Sequence, residues 1–263
     1  MNSSTKDVAS KAGVDLVTGN YQLPSTTAPI SAAKTIALRE PNVVVSNNQL
    51  ANIMSSVNSV YSQKCIPVIQ VVVSADNTVL FGPSNAEMGE LQGATLAKFA
   101  QTKGWDPASV TVFGQLDAPL GPEIQKRVTA CQDKVKSLLP GVAVENQDNI
   151  APTTADAQKS MSDWLTAHPN AKNLLVCSIA DLYAIGNANA LKLANRASTA
   201  AVTGVNGQQD ALDAIAAGGP IIGTVNLNAD KWGSYWLPLA EDIAAGKPVP
   251  SEVHPVVAML PQQ

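Results

Sequence analysis

Short apolar runs recur along the chain, and stretches with apolar residues at helical spacing lie between most of them. Most of the runs are continuous rather than alternating, which is typical of parallel strands buried on both faces of a sheet. The predicted strands are Val14–Val17, Val43–Val45, Pro67–Val73, Thr78–Phe81, Val110–Phe113, Val142–Val144, Asn173–Cys177, Ala201–Val205 and Ile221–Val225. The predicted helices are Ala28–Arg39, Leu50–Gln63, Ala86–Lys103, Pro122–Leu139, Thr154–His168 and Asp181–Asn195, followed by 208–217 and 230–245. Alternating β and α elements predict an α/β fold with parallel sheets covered by helices.

The segment 201–250 shows this alternation most clearly. The run AVTGV stops at Asn206, an amphipathic helix ends in glycines, and a second strand and helix follow with almost no residues between them. Asn206 therefore lies at the junction between a predicted strand and the helix that follows it. In open α/β sheets that edge is where ligands bind.

The best internal boundary is the segment 103–107, Lys-Gly-Trp-Asp-Pro. It follows a long helix and precedes a new strand, and its glycine and proline interrupt regular structure. The halves on either side share the same βα rhythm, so the sequence predicts two lobes of similar design.

Polar residues, mostly neutral amides, follow the ends of several predicted strands. The candidates read from this pattern are Asn47, Ser84, Asn85, Gln115, Asp181 and Asn206, with Tyr183 two residues past Asp181 as a possible stacking face. Amides donate to and accept from hydroxyl groups and carboxylates accept from them, so a ring of such groups suits a neutral polyhydroxylated ligand. Each residue alone is equally explained as a helix N-cap, and Tyr183 as ordinary helix packing.

Composition excludes several other functions. A net charge of −4 argues against nucleic-acid binding, and no apolar run approaches a membrane span. The polar first residues are not those of a signal peptide. With two histidines and three dispersed cysteines, neither a catalytic triad nor a metal site can be assembled, and no cofactor is predicted. Cys177, inside an apolar strand, is expected to be a buried inert thiol.

Three segments together resemble the type I periplasmic sugar-binding proteins, the ribose-binding type of ABC-transporter receptor. They are Gly82–Phe99, Asp163–Arg196 and the segment 201–250. The resemblance implies two Rossmann-like lobes joined by three crossovers, with a sugar held in the cleft between them. The implied lobes are 1–107 with 228–249, and 108–227 with 250–263.

The resemblance also carries binding positions onto this sequence one by one. Ser84, with Asn85 beside it, stands at the family's aspartate before the helix, and Arg127 matches an arginine on the first helix of the second lobe. A solvated Arg127 among neighbouring lysines is the alternative. Asp181 matches the second residue of an Asn-Asp corner, Asn206 an aspartate, and Asn226 or its neighbour Leu227 a late glutamine. Several of these groups are shorter than the family pattern, so no particular sugar is implied.

The sequence is therefore interpreted as a non-enzymatic receptor, a monomer that takes a carbohydrate and delivers it to a membrane permease in the periplasm or outside the cell. The alternative is the effector-binding core of a lactose-repressor-like regulator, which would need a helix-turn-helix that the sequence does not show. An enzyme ranks third, since no convergent acid–base pair is visible.

The front of the sequence departs from the family. Members begin with a strand and a full first helix, whereas the residues before Val14 look like the end of that helix only. A truncated N-terminus, a misplaced start or a replacement strand would each explain this. The first lobe is accordingly expected to be the less stable of the two.

Overall fold

A computed structural model describes residues 3–21, 25–148 and 151–261. The helices are α1 (Ser3–Lys11), α2 (Ala28–Ala37), α3 (Met54–Ser62), α4 (Asn85–Thr102), α5 (Gly121–Leu138), α6 (Thr154–Ala167), α7 (Asp181–Leu193), α8 (Gln209–Ala216) and α9 (Trp232–Ala244). The strands are β1 (Val44–Ser46), β2 (Val68–Val71), β3 (Val79–Phe81), β4 (Val110–Leu116), β5 (Ala143–Asp148), β6 (Asn173–Cys177), β7 (Ala200–Asn206), β8 (Ile221–Asn226), β9 (Glu252–Val253) and β10 (Ala258–Leu260). The predicted α/β class with parallel sheets is confirmed.

Two compact units divide the chain. Unit 1 comprises Met1–Pro83 and Asn228–Val256, and unit 2 comprises Ser84–Leu227 and Val257–Gln263. The chain therefore passes three times from one unit to the other.

Unit 1 is built on a four-stranded sheet in the order β1-β2-β3-β9, and all its pairings are parallel. Its strands are only two to four residues long. The core forms where Ile69 and Phe81, both fully buried, meet the helices. Trp232 of α9 packs edge-on against Phe81, with ring centroids 5.6 Å apart.

Unit 2 is built on a six-stranded sheet in the order β10-β8-β7-β6-β4-β5. Five of the strands run parallel and β10 is antiparallel to β8, an edge strand that the sequence pattern did not reveal. β4, β6 and β7 are buried on both faces, as their continuous apolar runs predicted. One core cluster joins this sheet to α6 and α7 through Phe113, Trp164 and Leu191.

Helix α4 belongs to unit 2, although residues 84–107 were expected in the first lobe. The reason is a close approach between α4 and α5 at two glycines. A Cβ atom on Gly89 would lie 2.8 Å from the Lys126 carbonyl oxygen, and one on Gly93 would lie 2.7 Å from Lys134 Cβ. Only glycine allows the two helices to pack this closely.

The structure corrects two expectations about local structure. Residues 14–17 form no strand, although Val14 and Leu16 are partly buried. Cys177 is not a free thiol: it forms a disulfide with Cys131 of α5, with Cα atoms 6.1 Å apart. The third cysteine, Cys65, is free and exposed. The sequence did not predict the disulfide because the two bonded cysteines lie 46 residues apart.

Within the described residues no helix is both long enough and apolar enough to span a membrane.

Candidate functional site

Polar side chains gather at the carboxyl edge of the unit 2 sheet. Because β4, β6, β7 and β8 are parallel, their carboxyl ends meet at one edge. The polar residues at or just after these ends are Gln115, Asp117, Ser178, Asp181, Asn206 and Asn226. The N-terminus of α4 and one face of α5 add Asn85 and Arg127, which share hydrogen-bond partners with this edge.

Arg127 is a buried cation. Its side chain is 3 % exposed, so the solvated alternative is wrong. Nε donates a hydrogen bond to Asn85 Oδ1 at 2.8 Å, and one terminal nitrogen donates to the Ile179 carbonyl oxygen at 3.1 Å. Burial lowers the pKa of Arg127 to about 10, an effect that the neighbouring Tyr183 opposes. The guanidinium therefore remains charged at neutral pH, held in a fixed orientation by two elements.

Tyr183 lies beside this cation, with its ring buried in unit 2. It is 1 % exposed, and its hydroxyl donates to Asp117 Oδ2 at 2.5 Å. With the ring enclosed and the hydroxyl bound to Asp117, the arrangement matches the packing alternative for Tyr183 better than an exposed stacking face.

Asp181, the first residue of α7, is a fully buried carboxylate. Oδ1 accepts from the Thr224 hydroxyl at 2.6 Å, and Oδ2 accepts from the Gln208 backbone N–H at 2.8 Å. Burial raises the pKa of Asp181 to about 6, and these hydrogen bonds oppose the rise. Gly204 of β7 lies so close that a Cβ atom there would collide with Asp181 Oδ1. Asp181 thus ties the end of β6 to β8 and to the start of α8.

Asn206 and Asn226 are register partners at the ends of β7 and β8. The chain leaves β7 through a sharp turn, with φ at +125° for Asn206 and +68° for Gly207. Gly207 packs on Asn226, whose Oδ1 would lie 2.9 Å from a Cβ atom on the glycine. The Gly207 N–H donates to Thr224 Oγ1 at 3.1 Å. Because the Thr224 hydroxyl also bonds to Asp181, this contact links the turn to Asp181.

A buried amide, Gln92, connects α5, which carries Arg127, to the end of β6 and to β7. Gln92 of α4 donates to the Arg127 carbonyl oxygen at 3.2 Å. Its Oε1 accepts from the Ser178 N–H at 3.2 Å and from the Thr203 hydroxyl at 3.1 Å. Sequence reasoning missed Gln92 because it searched strand ends. The available signal was a glutamine on the same helical face as Met88 and Leu96, both fully buried.

Three other predicted site residues take part in different hydrogen bonds. Ser84 caps α4, its Oγ accepting from the Glu87 N–H at 3.3 Å, as the capping alternative expected. Gln115 donates to the Ala157 carbonyl oxygen of α6 at 2.7 Å, while its Oε1 is buried and accepts no hydrogen bond from the residues that the structure describes. Asn47 belongs to unit 1, where it follows β1 and its carbonyl oxygen accepts from the Tyr21 hydroxyl at 2.8 Å.

The edge thus offers a fixed cation, a fixed carboxylate and several amides. Such a set can donate to and accept from the hydroxyl groups of a neutral ligand. Across the described ranges, no group of three or more histidine, cysteine or acidic side chains is placed to hold a metal ion.

Comparison with known proteins gives consistent results. The sequence profile of the periplasmic binding protein domain matches residues 1–248. GanP, a glucose-galactose binding protein from Geobacillus stearothermophilus, superposes with a TM-score of 0.81 at 22 % identity, over 98 % of this chain and 92 % of that one. A solute-binding protein from Actinobacillus succinogenes with bound D-allose gives 0.79 at 17 % identity, over 98 % and 90 %. One from Bacillus halodurans with bound myo-inositol gives 0.79 at 17 % identity, over 98 % and 87 %.

Proposed function

Since this chain belongs to the periplasmic binding protein domain family, we propose that it captures a sugar or a related polyhydroxylated small molecule and delivers it to the permease of an ABC transporter. The family and the structural neighbours are binding proteins rather than enzymes. The expected resemblance to type I sugar-binding proteins is confirmed at the level of family and fold.

The presence of a buried cation, Arg127, and a buried carboxylate, Asp181, at the same sheet edge supports this proposal. Burying an ionised group costs free energy unless the protein surrounds it with hydrogen bonds. Here both groups are buried and held by protein partners. A preorganised donor and a preorganised acceptor can bind hydroxyl groups without first losing conformational entropy.

The neighbours favour the same ligand class. Their bound or named ligands are D-allose, myo-inositol, glucose and galactose. All are neutral and carry several hydroxyl groups, which suits an edge rich in amides with one cation and one carboxylate.

The Cys131–Cys177 disulfide favours a location outside the cytosol. Disulfides persist in oxidising compartments such as the periplasm and are rare in the reducing cytosol. We therefore place the protein in the periplasm or outside the cell. This argues against the lactose-repressor-like alternative, which would act in the cytosol.

Titration calorimetry of the full chain against D-allose, D-ribose, D-galactose, D-glucose and myo-inositol tests the proposal. At least one should bind, and Asp181→Ala should weaken that binding by about 1–3 kcal/mol through the lost charged hydrogen bond. The matched control is Asp163→Ala, an exposed acid on α6 whose ion pair with Lys159 lies at the surface; it should leave affinity unchanged. A folded protein that binds none of the five, or equal affinities for the two variants, would contradict the proposal.

A further inference from the structure

The short segment 177–180 leads from the end of β6 to α7, which begins at Asp181. Ala180, the N-cap of α7, has no side-chain group that could accept a hydrogen bond from the first turn of the helix. The start of α7 is therefore not fixed by a cap of its own. Besides the hydrogen bonds of Asp181 itself, its position depends on the contacts that hold the segment before it.

Groups from α4 and α5 hold three consecutive residues of this segment. Cys177 forms the disulfide with Cys131 of α5, and the Ile179 carbonyl oxygen accepts from the Arg127 guanidinium at 3.1 Å. Between them, the Ser178 N–H donates at 3.2 Å to the side chain of the buried glutamine on α4. The segment is thus fixed residue by residue against the pair of helices.

That glutamine, Gln92, bonds to three elements through a single carboxamide. Its Nε2 donates to the Arg127 carbonyl oxygen at 3.2 Å, and its Oε1 accepts from the Ser178 N–H at 3.2 Å and from the Thr203 hydroxyl of β7 at 3.1 Å. The two backbone partners fix the orientation of the amide, because an N–H can only donate and a carbonyl oxygen can only accept. Gln92 therefore couples the backbone of α5 to the segment that leads to Asp181.

Close helix packing brings Gln92 within reach of α5. The glycines on either side of it leave no room for a side chain: a Cβ atom on Gly89 would lie 2.9 Å from the Arg127 carbonyl oxygen, and one on Gly93 would collide with the Cys131 carbonyl oxygen. Because the two helices touch here, a small change at position 92 acts directly on α5.

We propose, on the basis of the proposed function, that Gln92 is a positioning residue for ligand binding, which holds Arg127 and the segment 178–180 in the arrangement that the ligand requires. A buried amide costs free energy unless it is hydrogen-bonded, and an apolar side chain would serve packing alone. The three hydrogen bonds instead fix the relative places of α5, the end of β6 and β7, which lead to Arg127, Asp181 and Asn206. A site fixed in this way loses less entropy when it binds.

Gln92→Met tests the proposal, because methionine fills a similar volume but carries no hydrogen-bond donor and only a weak acceptor. The matched control is Gln132→Met, which removes an amide that is also buried, one that donates to Asn146 Oδ1 of β5 at 2.7 Å. Hydrogen exchange of the full chain is measured first, without sugar. Gln92→Met should speed exchange in 178–182 by about tenfold, the factor expected for one lost hydrogen bond, and Gln132→Met by less than about threefold. Unchanged exchange there, or equal acceleration in both variants, would overturn the proposal.

Calorimetry separates positioning from a general loss of stability. The probe is whichever of the five sugars named above binds the native chain most tightly. Gln92→Met should weaken its binding by about tenfold and Gln132→Met by less than about threefold, even where urea unfolding shows that both variants are equally destabilised. Equal losses of affinity would contradict the proposed role. A native chain that binds none of the five contradicts the proposed function instead, and the exchange comparison then decides whether Gln92 holds the segment.

Gln92→Glu is the conservative variant. A protonated carboxyl group has the shape of the amide and can both donate and accept, whereas the ionised group can only accept. Burial favours the protonated form. Relative to the native chain at the same pH, sugar binding should be within about threefold near pH 5 and weaker by about tenfold near pH 8.5, and exchange in 178–182 should follow the same pattern. A ratio that does not change with pH would count against Gln92, and this variant decides the matter should Gln92→Met fail to fold.

Discussion

At the scale of single residues, Asp181 shows how the fold holds a buried carboxylate at a cost in stability. Its carboxylate is fully buried and satisfied by Thr224 and Gln208, yet burial still raises its pKa from 3.8 to about 6. The folded state therefore holds a proton that the unfolded state releases between these two values. The protonated form stabilises the fold, and that contribution is lost as pH rises through about 6.

We predict that the free energy of unfolding falls between pH 4 and 6 because of Asp181. One pKa unit corresponds to about 1.4 kcal/mol, so the difference approaches about 3 kcal/mol above pH 6. Asp181→Asn has no proton to lose, and its amide oxygen can still accept from the Gln208 N–H. Urea unfolding of both proteins from pH 4 to 7 checks this: the native protein should lose stability relative to the variant as pH rises. Parallel profiles would show that Asp181 titrates alike in both states.

Sequence reasoning at this scale succeeded where a residue follows a strand end. Asp181 and Asn206 were predicted to follow strand ends and do so, whereas Asn226, which ends β8, was named only through the family resemblance. It could not tell whether Arg127 was solvated or buried, because one polar position on a helix has no periodicity of its own. The burial of Gln92 could be predicted from the helical face that it shares with Met88 and Leu96, but its hydrogen-bond partners could not, because they come from distant parts of the chain.

At the scale of elements, the disulfide fastens a helix to the sheet beneath it. Cys131 lies on α5 and Cys177 ends β6, immediately before the loop whose Ile179 carbonyl oxygen accepts from Arg127. The same helix, α5, carries Arg127. Fastening α5 to β6 therefore restrains both the cation and the loop that leads to Asp181.

We predict that replacing both cysteines by alanine destabilises unit 2 by about 2–4 kcal/mol, since the crosslink constrains the unfolded chain. The measurement is urea unfolding together with hydrogen exchange of β6. Reducing agent should lower the stability of the native protein by a similar amount and leave the double variant unaffected. Cys65→Ala, at the exposed free cysteine, is the control and should change stability by less than about 0.5 kcal/mol. Unchanged β6 exchange in the double variant would rule out this role.

The helices and strands with the clearest hydrophobic pattern in the sequence were predicted most accurately. The long amphipathic stretches and continuous apolar runs of unit 2 became helices and buried strands close to their predicted bounds. The run at Val14–Val17 has strand composition but no strand beside it in the described structure, so it remains irregular. β10 was not predicted, because a three-residue strand that pairs antiparallel at a sheet edge has no periodic pattern in the sequence. A strand depends on its neighbours as much as on its own residues.

At the scale of the whole molecule, the two units differ in how well their sheets are completed. Unit 2 has six strands, several buried on both faces, and a disulfide between helix and sheet. Within the described residues, unit 1 has four strands of at most four residues, β1 stands at the edge of its sheet, and a cavity of about 420 Å³ lies beside it. A cavity of this kind forfeits packing contacts, and an edge strand loses hydrogen bonds on one side.

This difference predicts unequal local stability, which hydrogen exchange reports region by region. Amides of β2 should exchange at least tenfold faster than those of β6, although both strands are central in their sheets and wholly or almost wholly buried. The reason is that β2 can unfold locally together with its neighbour β1, which is short and paired on one side only. β6, by contrast, lies between β4 and β7, two seven-residue strands. Exchange followed by mass spectrometry on the full chain measures both strands in one sample. Equal protection of β2 and β6 would show that the packing of α2, α3 and α9 compensates for the open edge.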